Sequence, residues 1–192
     1  IHAFYPGQEG GYALAEILFG DVNPSGKLPF SFDEKWEYNP AYNDYTAPGA
    51  YDETNYSEGI FVGYRYYDTT TSVAPLYPFG FGLSYSEFEY SDLQLIPDSE
   101  TDFKNLTVQF NLENSSEVTG KEIVQVYVHD LESESIRPFK ELKAFKKTEL
   151  TAGGSQQISL NLPLNTFKYY KESYDNWEYD PGEFEILVGA SS

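Results

Sequence analysis

Two different periods divide the chain. From Phe88 onward apolar residues recur at every second position. Leu106, Val108, Phe110 and Leu112 alternate with Thr107, Gln109 and Asn111. Val124, Val126 and Val128 make a second such face, Ile158, Leu160 and Leu162 a third, and Phe184, Ile186 and Val188 a fourth. Successive side chains of a strand point to opposite sides, so each run reads as a strand with one face in a core. Asn114-Ser-Ser, Gly153-Gly154 and Asp180-Pro-Gly182 mark turns between them. Short alternating strands with turn signals over about 100 residues predict an antiparallel β-sandwich. Leu164 and Phe167, three apart, predict one helical turn within 163–170.

Upstream the period is helical. Leu14, Ile17 and Leu18 fall on one face, with Ala13 and Ala15 beside them, and predict a helix over Glu9–Phe19. Glu9 lies in its first turn, where the helix dipole favours negative charge, and Gly20 closes it as a C-cap glycine. Ile1–Phe4 reads as the end of a buried strand, and the short apolar start without Met looks like a cut through a fold. Pro6 and Gly7 turn the chain, Asn23-Pro-Ser-Gly26 is a second turn, and Leu28–Phe32 reads as a short strand. Strand, helix and strand in sequence make an α/β unit. Asp33–Ser57 has no clean period and is rich in Tyr, Asn, Asp and Pro, which predicts a long ordered loop. Glu58–Asp68 is a compact aromatic segment around Arg65, and Thr69–Val73 reads as a loop tip. The fold class is therefore α+β overall: a short α/β segment, then an antiparallel sandwich. The expected divisions are 1–35, 36–85 and 86–192.

Charge narrows the partners. The net charge of −19 argues against nucleic acid and anionic membrane surfaces, which need patches of Lys and Arg. A neutral substrate such as a carbohydrate fits better. The acidity also reads simply as solubility. No run approaches the roughly 20 apolar residues of a membrane-spanning helix. With no cysteine there is no disulfide and no thiolate chemistry. Eighteen tyrosines and 14 phenylalanines suit sugar platforms and sandwich cores alike.

Candidate chemistry is sparse. Gly7, Gly10 and Gly11 before a helix suggest a phosphate cradle, but neither phosphate-loop spacing is met, so they read as a tight turn. The acidic pairs Glu87/Glu89 and Glu132/Glu134, and the group Asp52, Glu53 and Glu58, read as solvated surface in so acidic a chain. His2 and His129 lack the companions of a zinc site or a nucleophilic triad and read as structural. Arg65, flanked by Tyr64, Tyr66 and Tyr67, reads as a stacked platform or as an anchor paired with Asp68 or another carboxylate. Trp36 is the better sugar-stacking candidate, and Trp177 reads as packing. Asn55, Asn105 and Asn114 open glycosylation sequons.

Longer motifs carry more. Tyr5-Pro-Gly-Gln-Glu-Gly-Gly11, Leu18-Phe-Gly-Asp-Val-Asn-Pro-Ser-Gly-Lys-Leu-Pro29, Gly63-Tyr-Arg-Tyr-Tyr-Asp68 and Tyr77-Pro-Phe-Gly-Phe-Gly-Leu-Ser-Tyr85 resemble the glycoside hydrolase family 3 β-glucosidases. So do Val124-Gln-Val-Tyr127, Arg137-Pro-Phe-Lys-Glu-Leu-Lys-Ala-Phe145 and Pro181-Gly-Glu-Phe184, in the expected order. The resemblance implies a barrel, then an α/β sandwich, then a fibronectin type III-like domain, with this chain as the end of the second and all of the third. It implies retaining, exo-acting hydrolysis of terminal β-linked sugars by a nucleophilic Asp and an acid/base Glu, both upstream of the Tyr5 motif. It therefore assigns no catalytic residue here, no cofactor and no metal. The barrel and the rest of the α/β domain are the implied partners, with a carbohydrate substrate and a secreted or periplasmic location. Trp36, Tyr64 and Tyr66 are the candidates to lend an aromatic to a leaving-group subsite. The rival reading is a stand-alone sugar-binding or adhesion module built on the sandwich.

Overall fold

Alternation becomes two facing sheets. The computed structural model describes residues 1–46, 55–70 and 72–192. Its strands are β1 (Phe88–Pro97), β2 (Asn105–Asn114), β3 (Gly120–Asp130), β4 (Glu141–Leu150), β5 (Ser155–Pro163), β6 (Tyr169–Lys171), β7 (Asn176–Glu178) and β8 (Phe184–Gly189). One sheet runs in the order β1-β2-β5 and the other β4-β3-β8, all pairs antiparallel, with β6-β7 as a separate hairpin. The alternating residues meet between the sheets. Val108, Phe110, Leu112, Ile158 and Leu162 from one face Val124, Val126, Val128 and Leu150 from the other. Phe167, on the 3₁₀ turn Leu164–Phe167, closes one end. Each such side chain contributes about 1.5–3 kcal/mol by leaving water. β1 is an edge strand. Its register shifts between Ser91 and Gln94, and Asp92 sits at φ 55°. The bulge twists this edge and discourages pairing with another chain.

The helix appears as α1 (Gly10–Phe19), with Glu9 as its N-cap residue. Gly20 ends it at φ 85°, a left-handed conformation suited to glycine, and its N–H donates to the Ile17 carbonyl at 3.2 Å. None of the ten helical residues is buried. The flanking segments differ from expectation. Ile1–Phe4 is exposed and makes no ladder. Leu28–Phe32 runs antiparallel to 77–81 without becoming a continuous strand. The Leu28 N–H donates to Phe81, the Gly80 N–H donates to Leu28, and Phe32 makes an isolated bridge to Tyr77. Pro29 and Pro78 lack the N–H groups that would fill the ladder.

This ribbon is clasped to the sandwich. The Asn23 side chain accepts from the Ser84 hydroxyl (2.8 Å) and the Tyr85 N–H (2.9 Å) and donates to Ser86 Oγ (2.9 Å) and the Thr119 carbonyl (3.0 Å). Lys27 pairs with Glu122 at 3.0 Å, both nearly buried. At Gly120 a Cβ would fall 2.3 Å from Ser86 Oγ, so only glycine permits this approach.

Candidate functional site

The aromatic connection folds as short helical turns rather than a featureless loop. Trp36–Tyr38 is a 3₁₀ turn, α2 covers Tyr42–Thr46 and α3 covers Tyr64–Thr69. Asp33 organises the first part. It accepts a hydrogen bond from the Tyr67 hydroxyl and one from Asn39 Nδ2 at 2.9 Å, and Asn39 Oδ1 accepts the Ala41 N–H. Burial, and then the bond to Asp33, push the Tyr67 phenol far above its ordinary pKa, so it stays a neutral donor. On this frame Trp36 meets the rings of Tyr42 and Tyr45 edge to face, at 5.7 and 5.8 Å. Trp36 remains 46% exposed, so the cluster presents an open aromatic surface.

The other two aromatic candidates are engaged in packing. Tyr64 lies against Phe79 (5.0 Å) and Tyr127 (6.0 Å), and its hydroxyl accepts the Leu142 N–H at 2.9 Å. Tyr66 meets Tyr67 edge to face at 5.2 Å and is half-buried. Of the three, Trp36 is the most open to solvent, while Tyr64 and Tyr66 are half-buried.

Arg65 is an anchor. Its guanidinium reaches Glu141 at 3.1 Å, while Asp68 pairs with Lys140 at 3.6 Å. Glu141 also meets Arg137 at 2.6 Å and Lys143 at 3.3 Å, and Arg137 reaches Asp130 at 2.7 Å. Burial alone would push Glu141 up, but Lys143, Arg137 and Arg65 together outweigh it and hold its carboxyl below the usual range. Burial pushes the Asp68 carboxyl up, and Lys140 only partly offsets this. This ionic web binds α3 to β4. Sequence spacing could not find it, because Arg65 and Glu141 are 76 residues apart.

The remaining candidates take structural or surface places. Glu87, Glu89, Glu132 and Glu134 are exposed, and Glu134 pairs with Lys171. Asp52 and Glu53 lie outside the described residues. His129 packs on Phe139 at 4.1 Å with Nδ1 3.2 Å from Glu185, and His2 packs on Phe4 at 4.2 Å. Among the described residues no group of three or more His, Cys, Asp or Glu is arranged to hold a metal. No helix among them is long and apolar enough to cross a membrane. Trp177, expected to pack, stands 58% exposed on β7.

Comparison with known proteins places this architecture. The model for the glycosyl hydrolase family 3 C-terminal domain matches residues 1–85, and that for a fibronectin type III-like domain matches residues 122–192. The chain is 45% identical over 192 residues to thermostable beta-glucosidase B of Acetivibrio thermocellus, covering 100% of this chain and 25% of that protein. It is 41% identical, over 100% of this chain and 25% of the other, to an exo-alpha-(1->6)-L-arabinopyranosidase of Bifidobacterium longum. Among solved structures, beta-glucosidase 3B from Thermotoga neapolitana in complex with alpha-D-glucose superposes with a TM-score of 0.86 at 41% identity, over 96% of this chain and 25% of that one. Beta-glucosidase from Kluyveromyces marxianus in complex with glucose gives 0.88 at 37%, over 99% and 22%. The chain thus spans about a quarter of the length of the curated relatives it matches.

Proposed function

Because the chain belongs to glycoside hydrolase family 3, matching its C-terminal part, we propose that it is the structural end of a retaining, exo-acting β-glycosidase that removes terminal β-linked sugars from oligosaccharides or glycosides. On this reading the attacking Asp and the acid/base Glu are carried by sequence preceding the Tyr5 motif. This chain contributes support and the wall of a cleft. The observation that carries the reading is the bare helix. Leu14, Ile17 and Leu18 line one face of α1, yet no residue of α1 is buried. An amphipathic helix draws most of its stability from an apolar face packed on something else. A partner surface, the rest of an α/β domain, accounts for that face.

The relatives support a division of labour. Proteins named for a glucoside and for an arabinopyranoside are similarly close to this chain over its whole length. That is expected if the sugar is chosen elsewhere in the enzyme. The chain alone is expected to turn over no nitrophenyl β-glucoside. Mixed with a polypeptide carrying the preceding domains, it should restore turnover and gain amide-exchange protection in α1. Hydrolysis by the chain alone, or no association at all, would defeat the reading.

Within the same reading, Trp36 lends its ring to a leaving-group subsite. Trp36→Ala in the full enzyme should raise KM for an aryl glucoside about two- to tenfold, with a smaller loss of stability than Tyr64→Ala. Tyr64→Ala should instead lower stability by roughly 1–3 kcal/mol, because it removes a packed ring and the partner of the Leu142 N–H. Steady-state kinetics and thermal melts separate the two. An unchanged KM in the Trp36 variant removes it from the subsite.

A further inference from the structure

Trp177 and its surroundings form a second feature suited to sugar, remote in sequence from the aromatic connection. With Asn165, Lys168 and Asn176 it lines an open concavity of about 410 Å³. Its indole is 58% exposed, which leaves much of a large apolar ring in water. The side chains of Asn165 and Lys168 have no hydrogen-bond or ion-pair partner among the described residues. Asn176 donates to Glu178 at 2.8 Å and keeps its own carbonyl free. Two amides and an ammonium thus stand around an exposed ring.

The hairpin that carries the ring is braced. Tyr170 meets Trp177 edge to face at 5.9 Å. At its base Asp180 accepts from the Tyr169 hydroxyl (2.9 Å), the Glu134 N–H (3.0 Å) and Lys171 (3.4 Å). A binding surface held before the ligand arrives spends less affinity on ordering.

We propose that this groove binds a neutral β-linked glycan, with one pyranose ring stacked on Trp177 and its hydroxyls met by Asn165, Lys168 and Asn176. A pyranose has an apolar C–H face and a rim of hydroxyls. The indole suits the face, and amides that both donate and accept suit the rim. The concavity is small and open, lined by four residues, whereas a stable protein contact needs about 800 Å² on each partner. Polyanionic glycans are disfavoured by the net charge of −19. The proposal rests on the glycosidase reading only for the β linkage.

Native gels cast with soluble mixed-linkage β-glucan test it on the full-length protein. The unmodified protein should be retarded, and Trp177→Ala should bind about tenfold or more weakly. The double variant Asn165→Ala/Lys168→Ala, which removes only unpartnered side chains, should weaken retardation too and guards against a folding artefact of the first. Hydrolysis of a nitrophenyl β-glucoside by the same preparations reports on the glycosidase reading separately. Equal retardation of the unmodified and Trp177 variant proteins, no retardation of either, or retardation only by polygalacturonate overturns the proposal.

Discussion

Arg137→Ala is expected to lower the unfolding free energy by about 3–5 kcal/mol. The side chains of Arg137 and Asp130 are 8% and 3% exposed, and the guanidinium divides its two arms between Asp130 (2.7 Å) and Glu141 (2.6 Å). Removing it strands Asp130 away from water and leaves Glu141 with only Lys143 and Arg65. Lysine should not rescue the loss, because one ammonium cannot reproduce two divergent donor arms. The urea midpoint should fall with its slope unchanged. Acid dependence offers a second reading. Glu141 is held below its ordinary pKa, so its contribution is fully present above the unfolded-state value. It is lost as pH falls through the lower folded value. The variant should therefore show a shallower loss of stability on the acid side. A cost under about 1 kcal/mol, with an unchanged acid limb, would show that the web contributes nothing.

The second large effect belongs to Asn114. It is fully buried, and its Nδ2 is shared among the carbonyls of Val118 (2.8 Å), Leu150 (3.2 Å) and Thr151 (3.2 Å). Its Oδ1 accepts the Ser116 N–H at 3.1 Å. One amide therefore satisfies backbone groups where β2, β3 and β4 converge. Asn114→Ala should cost about 2–4 kcal/mol, since buried polar groups left unpaired keep their desolvation penalty. Asn114→Asp should cost more at neutral pH, because it turns a donor toward three carbonyls into an acceptor. Urea titrations of both variants check the order, and Asp milder than Ala would contradict it. The same geometry bears on the sequon. A glycan on Nδ2 would take one of the two hydrogens shared among these carbonyls and would have to fit a fully buried site, so the folded chain has no room for one at Asn114.

Much of the fold was legible wherever burial follows a simple period. β2, β3, β5 and β8 show alternating apolar faces, and α1 shows a helical stripe closed by Gly20. β4 was hidden because Lys146 and Thr148 interrupt its alternation. The period of two was legible from Phe88, where β1 begins, but its bulge at Ser91–Gln94 breaks the alternation and hid the strand's extent. The strands expected at Ile1–Phe4 and Leu28–Phe32 do not form: Ile1–Phe4 is exposed, with Phe4 at φ 50°, and Leu28–Phe32 makes only an isolated bridge. A strand is completed only by a neighbour's backbone, and prolines limit the one that Leu28–Phe32 finds. Of the candidate site, composition could pick out Trp36, Tyr64 and Tyr66 but not their roles. The packing of Tyr64 depends on Phe79 and Tyr127, contacts that no local pattern encodes. Trp177 shows the converse, since a tryptophan in a sandwich is ordinarily packed and its exposure becomes visible only in three dimensions.

The clasp around Asn23 has a practical corollary for recombining relatives. A breakpoint placed at the start of β1 would seem natural, because the sheets begin there. It would divide Asn23, Lys27, Ser84 and Ser86 from Thr119, Gly120 and Glu122, and each half of the seam would inherit a mate from another parent. Chimeras should keep both halves from one parent, exchanging the sandwich together with the ribbon that grips it.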